Sequence, residues 1–453
     1  MKFGLAAALA ASFATLAIGA DTGRLKVAAG GHFLQHEDGR PFFWLADTAW
    51  LMFNKLTPDE IRTYLHDRHE KGFNVVQVMV IRGGDTDTSG EPALIDNDPA
   101  KPDLTHGRWD RVDQAISFAN DEGVYVGMVT AWGSLVKSGT LNESNAKEYA
   151  TFLARRYRDR PNIVWILGGD IQGDIHPEVW RIMGTTLRAE DPNHLITYHP
   201  FGRMQSSMWF HNDPWLDFNM FQSGHRRYDQ DTDSPHKFGE DNWRYVEEDY
   251  ARKPAKPVID GEPSYEGIPQ GLHDPAQPYW KAADARRYAW WSVLAGAAGH
   301  TYGDNSVMQF LRKGDGAAYG ATEIWSDAIH DPGSGQMQYV KKLMLSRPYF
   351  DRVPDQTLIA GENGTKHDYV VASRGKNYLF AYDYTGKPFR IRMGAISGKS
   401  VQAWWYSPRD GSTRQAGTFE NRGEHAFTPP DQNDWVLVID DSAAKFAAPG
   451  TVR

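Results

Sequence analysis

The chain contains no cysteine. Disulfides, thiolate nucleophiles and cysteine-based zinc or iron–sulfur centres are therefore excluded. The compartment is not excluded, since an exported protein need not carry disulfides. Positive charge is also in deficit: 49 Lys and Arg face 58 Asp and Glu, a formal net charge of −9. That balance argues against a general nucleic-acid binder, which must neutralise phosphates with basic side chains. After the N-terminus, no apolar run approaches the roughly 20 residues that span a bilayer. Several catalytic signatures are missing as well. There is no Gly-x-Ser-x-Gly elbow, P-loop, His-Glu-x-x-His motif or EF-hand acid spacing. Serine-hydrolase, nucleotide, zincin and calcium-loop chemistry lose their sequence support.

What is present is aromatic. Phe, Trp and Tyr make up 13% of the chain, with 16 Trp. Such flat apolar faces serve sugar clefts and large cores alike. Hydrophobic residues at 41% and charged residues at 24% describe an ordinary globular composition. A length of 453 residues suggests two or three domains. The first 20 residues open Met-Lys, run uncharged from Phe3 to Ile18, and exit through Gly19 and Ala20 ahead of Asp21. That order reads as a secretory signal, which predicts a periplasmic or secreted protein.

From about residue 40 to 350, strand-like apolar runs alternate with helix-like stretches. The strands are expected at 42–46, 75–81, 124–130, 163–167, 195–198, 218–222, 257–260 and 299–302. Helices are expected at 58–71, with Thr57 as N-cap and Gly72 as stop, and at 145–158 and 283–297. Eight such β runs with intervening helices are the pattern of a (β/α)8 TIM barrel, here assigned to residues 21–350. A doubly wound sheet is the runner-up, but its Gly-rich phosphate turn is absent. A small hairpin over 25–39, turning at Asp38-Gly39, should precede the barrel. Near residue 350 the pattern becomes short alternating strands without helices, at 369–373, 378–384, 389–393, 401–406 and 435–439. Residues 351–453 therefore read as a C-terminal β-sandwich packed closely on the barrel.

Barrel chemistry sits where strands end and βα loops begin. The polar residues at those ends are Asp47 after strand one, Trp132 after three, Asp170 after four and His199 after five. Strand six supplies Gln222 and His225, strand seven Asp260 and Glu262, and strand eight His300, Tyr302 and Asp304. Asp170 and Glu262 lie three βα units apart, so they should face each other across the barrel mouth. Two opposed carboxyls are what glycosidic cleavage requires: one protonates the departing oxygen, the other attacks the anomeric carbon or activates water. Gly168, Gly169 and Gly261 beside them should let a substrate approach the backbone. Asp47, among Trp44, Leu45 and Trp50, is either a sugar-hydroxyl ligand or the partner of an arginine. Trp132 should be a sugar platform. His199, His225 and His300 divide between ligand contact and hydrogen-bonded scaffold, and Gln222 and Tyr302 are assigned to substrate. Asp260 should make a structural salt bridge. His66 and His69 read as exposed helix residues, and Asp85, Asp87, Asp96 and Asp98 as a solvated loop. No cofactor and no metal site are read from the sequence.

These residues resemble a known family. Phe42-Phe-Trp-Leu-Ala-Asp-Thr-Ala-Trp50, Lys71-Gly-Phe-Asn-Val-Val-Gln77, Leu94-Ile-Asp-Asn-Asp98, Trp165-Ile-Leu-Gly-Gly-Asp170, His194-Leu-Ile-Thr-Tyr-His-Pro200, Asp217-Phe-Asn-Met220 and Asp260-Gly-Glu-Pro263 are similar to glycoside hydrolase family 140. In that family a barrel known as domain of unknown function 4038 precedes a small β-domain labelled collagen-binding. Trp404-Trp-Tyr-Ser-Pro-Arg-Asp-Gly411 and Phe427-Thr-Pro-Pro430 fit the second domain. The resemblance implies an exo-acting β-D-apiofuranosidase that removes apiose from rhamnogalacturonan II, a plant pectin, and a plant-type oligosaccharide or glycoside as partner. It also implies that Asp170 and Glu262 are the catalytic pair. By analogy with related barrels, Asp170 is the acid/base and Glu262 the nucleophile of a retaining mechanism. Another furanosidase or exo-glycosidase of the family, and a non-catalytic carbohydrate-binding protein, are the rival expectations. The long segments 224–243 and 303–325 are the expected gates of the cleft.

Overall fold

The computed structural model describes residues 22–82, 90–231 and 236–452. The expected signal segment 1–20 and the loop acids Asp85 and Asp87 lie outside the described residues. Eight parallel strands form a nearly closed barrel: Trp44–Thr48, Val75–Met79, Tyr125–Val129, Ile163–Gly168, Ile196–His199, Asn219–Gln222, Val258–Asp260 and Gly299–Tyr302. The first pairs with both the second and the eighth, for example Ala46 with Val75 and Asp47 with Tyr302. Strands five and six do not form a ladder. They are joined by Asp217 N–H donating to Ile196 O (2.9 Å) and the Thr197 hydroxyl to Phe218 O (2.7 Å). A short antiparallel strand, Met204–Gln205, adds to the sixth. Every barrel-strand residue is buried, which explains the unbroken apolar runs that marked them.

The first strand begins two residues later than its apolar run suggested. Pro41–Phe42 instead joins the N-terminal hairpin, pairing with Leu34–His36, which pairs with Leu25–Val27. Leu25, Leu34 and Phe42 of that hairpin pack with Trp44, Val75, Val164 and Phe218, closing one end of the barrel interior. The helix Pro58–Glu70 starts as its sequence dictates. Thr57 N–H donates to Glu60 Oε2 (2.8 Å) while Glu60 N–H reaches back to Thr57 Oγ1 (3.4 Å), a reciprocal cap that satisfies two orphan donors. Gly72 follows at φ +83°, a left-handed turn that terminates the helix.

Six antiparallel strands form the main C-terminal sheet, in the order Val353–Pro354, Val371–Arg374, Tyr378–Asp383, Trp435–Asp441, Ser400–Tyr406 and Thr413–Glu420. A two-stranded ribbon, Phe389–Arg392 with Glu424–Phe427, is the second layer of the sandwich. Alternation along the strands serves two cores. Leu379, Ala381, Leu437 and Ile439 pack against Phe389, Ile391 and Phe427 of the ribbon. Phe380, Tyr382, Val436 and Val438 pack against Trp290, Trp291 and Leu294 of the barrel helix Ala282–Leu294.

Candidate active site

The fourth strand ends in three consecutive residues with positive φ: Gly168 (+89°), Gly169 (+100°) and Asp170 (+51°). Aspartate tolerates this left-handed region better than most side chains. A Cβ on Gly168 would lie 2.3 Å from His199 O, and one on Gly169 would lie 2.7 Å from the Trp132 ring. A Cβ on Gly261 would meet Met220 Sδ at 2.4 Å. The three glycines therefore admit neighbouring protein, not substrate, contrary to the sequence expectation. The resulting turn aims Asp170 into a cavity of about 650 Å³ at the mouth of the barrel. Glu262, Trp132, Gln222 and His225 line the same cavity.

Asp170 and Glu262 converge, together with His199: one ligand atom of each lies within 4.8 Å of the other two. Glu262 is buried and reached by two imidazoles. His225 Nε2 lies 3.1 Å from Oε1, and His199 Nε2 lies 3.2 Å from Oε2. The Tyr265 N–H donates to His225 Nδ1 (3.3 Å). That nitrogen is therefore the acceptor, and the ring proton sits on Nε2, facing Glu262. Burial would raise the Glu262 carboxyl, but its contacts with His199 and His225 outweigh it and bring the carboxyl down to about 2. Asp170 moves the other way. It meets solvent through the cavity mouth but is walled by protein, and poor hydration, then the Glu262 charge, push it up to about 7. The site thus holds one proton-bearing and one charged carboxyl side by side.

The remaining sequence candidates separate by position. Trp132 stands edge-on to Trp50 (ring centroids 5.3 Å apart), and both line the cavity with Gln222 and His225. His199 is fully buried behind Glu262, so it supports the carboxylate and does not face the cavity. Asp47 does not reach the cavity. It accepts a hydrogen bond from the Tyr64 hydroxyl (2.6 Å) and lies 3.5 Å from Arg68 Nη1, all within the interior. It is thus the arginine partner of the two expected alternatives. Tyr302 is also interior; its hydroxyl donates to Glu266 Oε2 (2.7 Å). His300 faces Ser292 Oγ at 3.1 Å and is scaffold. Among the described residues Asp260 makes no salt bridge; its Oδ2 accepts from Ser223 (2.6 Å) and Asn242 (3.0 Å). Asp304 caps the short helix Asn305–Met308.

The cavity also gathers residues that the sequence reading did not assign: Trp50, Arg82, Phe201, Arg203, Tyr265, Gln309 and Tyr319. Trp50, Phe201 and Tyr265 follow Asp47, His199 and Glu262 by two or three residues, so their signal is the same strand end carried slightly further into the loop. Tyr319 lies deep in an irregular segment with no periodic signal. Asp170, His199 and Glu262 are also the group among the described residues with metal-ligand spacing. A hard cation there requires Asp170 to be ionised, whereas its surroundings raise that carboxyl to about 7, so protons compete with a cation at neutral pH and prevail below it.

Residues 28–351 match the family model described as apiosidase-like, catalytic domain. Residues 353–440 match the model of a putative collagen-binding domain of a collagenase. A solved structure described as a glycoside hydrolase shares 47% identity with a TM-score of 0.90, covering 94% of this chain and 98% of that one. A crystal structure described as a glycoside hydrolase family 5 protein from Bacteroides vulgatus shares 45% identity with a TM-score of 0.91, covering 96% and 97%. No protein of curated function matches the chain. The family match spans the whole barrel and the close structural relatives are glycoside hydrolases, so the chain belongs to the apiosidase-like family and is a glycosidase.

Proposed function

We propose that the protein is an exported, exo-acting β-D-apiofuranosidase that releases apiose from plant pectin side chains or apiosides with retention of configuration. The observation that carries the mechanism is the convergence of Asp170 and Glu262, one oxygen of each lying within 4.8 Å of the other. Retaining glycosidases place their two carboxyls about 5–5.5 Å apart, whereas inverting ones leave roughly 6.5–9.5 Å for a water. In the first step Asp170 gives its proton to the glycosidic oxygen while a Glu262 oxygen attacks the anomeric carbon. The aglycone leaves as an alcohol and a glycosyl ester remains on Glu262. In the second step Asp170, now a carboxylate, takes a proton from a water that attacks the same carbon, which frees the sugar and Glu262. Trp132 offers a flat face to the sugar, Gln222 and His225 offer hydrogen bonds at the cavity wall, and His199 holds Glu262 from behind. The family membership favours apiose as the sugar.

The test is hydrolysis of an aryl β-D-apiofuranoside beside arabinofuranoside, galactofuranoside and xylopyranoside controls. The product anomer is followed by NMR. Apiose release with retention, lost in both Asp170→Asn and Glu262→Gln, is the expected result. Turnover of a different glycoside would keep the pair and move the substrate, and inversion would remove the covalent step. Activity should survive a chelator. Loss that a divalent cation restores would instead make Asp170, His199 and Glu262 metal ligands.

A further inference from the structure

We infer that the C-terminal domain is a working part of the catalytic unit, with His367 and Tyr369 acting as positioning residues for the loop that carries His225. The inference rests on the reading of Glu262 as nucleophile, because His225 matters through the N–H it directs at that carboxylate. Docking onto the barrel helix Ala282–Leu294 would suffice for a domain that only stabilises. This domain also grips the segment after the sixth strand. His367 Nε2 lies 2.9 Å from Glu240 Oε2, and the Tyr369 ring stacks on Trp243 at 4.1 Å and 10°. The neighbouring Lys366 sets its Nζ 5.2 Å from the centre of the Tyr228 ring.

The gripped residues lead directly to the reacting groups. The Tyr228 hydroxyl donates to Asp241, tying the two described arms of the segment together. Tyr228 stands three residues beyond His225. Asn242, between Glu240 and Trp243, donates to Asp260 (3.0 Å) at the end of the seventh strand, two residues before Glu262. Movement of this segment therefore reaches Glu262 from two sides. Small displacements of such supports are costly, because rate depends steeply on reactive geometry.

The experiment pairs two readouts on His367→Ala and Tyr369→Ala, with His367→Gln keeping a donor within reach of Glu240. Arg287 also binds Glu240, so removing His367 leaves no unpaired buried charge. Should the melting temperature show His367→Ala to be unfolded, His367→Asn, too short to reach Glu240, takes its place. Hydrogen exchange is read at Gln230 and Gly271, whose amides donate to Arg227 O (3.0 Å) and His225 O (2.8 Å). The expected result is exchange faster on the order of tenfold and kcat/KM lower on the order of tenfold. The acid limb of the pH profile should move to higher pH, and His367→Gln should restore all three. Unchanged exchange overturns the inference, as does faster exchange with wild-type kcat/KM and acid limb. If the wild-type protein turns over no glycoside, the functional reading fails by itself, and the exchange data still decide whether this domain holds the loop.

Discussion

Asp170 and Glu262 share one cleft but differ in proton affinity because their neighbours differ. Glu262 is faced by two imidazoles, whereas Asp170 is poorly hydrated and also faces the Glu262 charge. The sign of the pH dependence follows. In the proposed mechanism Asp170 must carry its proton to act as acid, so kcat/KM should fall as pH rises through about 7. As the proposed nucleophile, Glu262 must be charged, so the acid limb should appear only towards about 2. A pH profile of kcat/KM checks this, and a maximum above pH 8 would contradict it. Asp47 illustrates a different residue-level outcome. It is fully buried with Arg68 and Tyr64, so Asp47→Ala removes the interior carboxylate of that pair and leaves the guanidinium on Asp67 (3.2 Å). Breaking such a pair by removing one partner costs about 3–5 kcal/mol. Denaturant unfolding should show that loss, while KM of the folded fraction stays at the wild-type value. A raised KM with unchanged stability would return Asp47 to the substrate.

At the scale of elements, the strand-four turn shows why some of the site was legible and some was not. The barrel strands announced themselves through apolar runs, because burial on both faces leaves little room for polar residues. Their ends then located Asp170 and Glu262. The role of Gly168-Gly169 was not legible, because nothing local reveals that Trp132 and the His199 carbonyl occupy the space beside them. Likewise Asp47, Asp260 and Tyr302 sit at strand ends but point into packed protein. A pattern of period two gives a strand's faces, not what lies against them. The strands Thr413–Glu420 and Glu424–Phe427 carry no apolar signature, because half of their residues are exposed and Phe427 alone is buried. The turn supports a direct prediction. Gly169→Ala combines an unfavourable φ of +100° with a Cβ pressed on the Trp132 ring. It should displace both Trp132 and Asp170 and lower kcat/KM on the order of 100-fold. Steady-state kinetics would show this, and near wild-type kcat/KM would mean that the turn relaxes without moving the acid.

At the scale of the whole molecule, the question is whether barrel and sandwich are separable. The sheet face that meets the barrel carries Phe380, Tyr382, Val436 and Val438, and the barrel helix answers with Trp290 and Trp291, all buried. Trp290 stacks on Tyr382 with ring centroids 5.9 Å apart. Two ion pairs lie within this seam: Arg286 with Asp434 (2.9 Å) and Arg347 with Asp440 (2.7 Å), all four side chains nearly inaccessible. Inter-domain contacts within a chain are usually polar and permit relative motion. This one resembles a core, and exposing its two tryptophans would cost each half a share of its apolar burial. The barrel and sandwich should therefore unfold together. Scanning calorimetry should give one transition, with calorimetric and van't Hoff enthalpies in agreement. Asp434→Ala, which strands Arg286 and also removes a partner of Arg409, should lower that single transition without splitting it. Two resolved transitions in the wild-type protein would show instead that the sandwich is an independent module, and the tryptophan seam would then be a docking face that the barrel can leave empty.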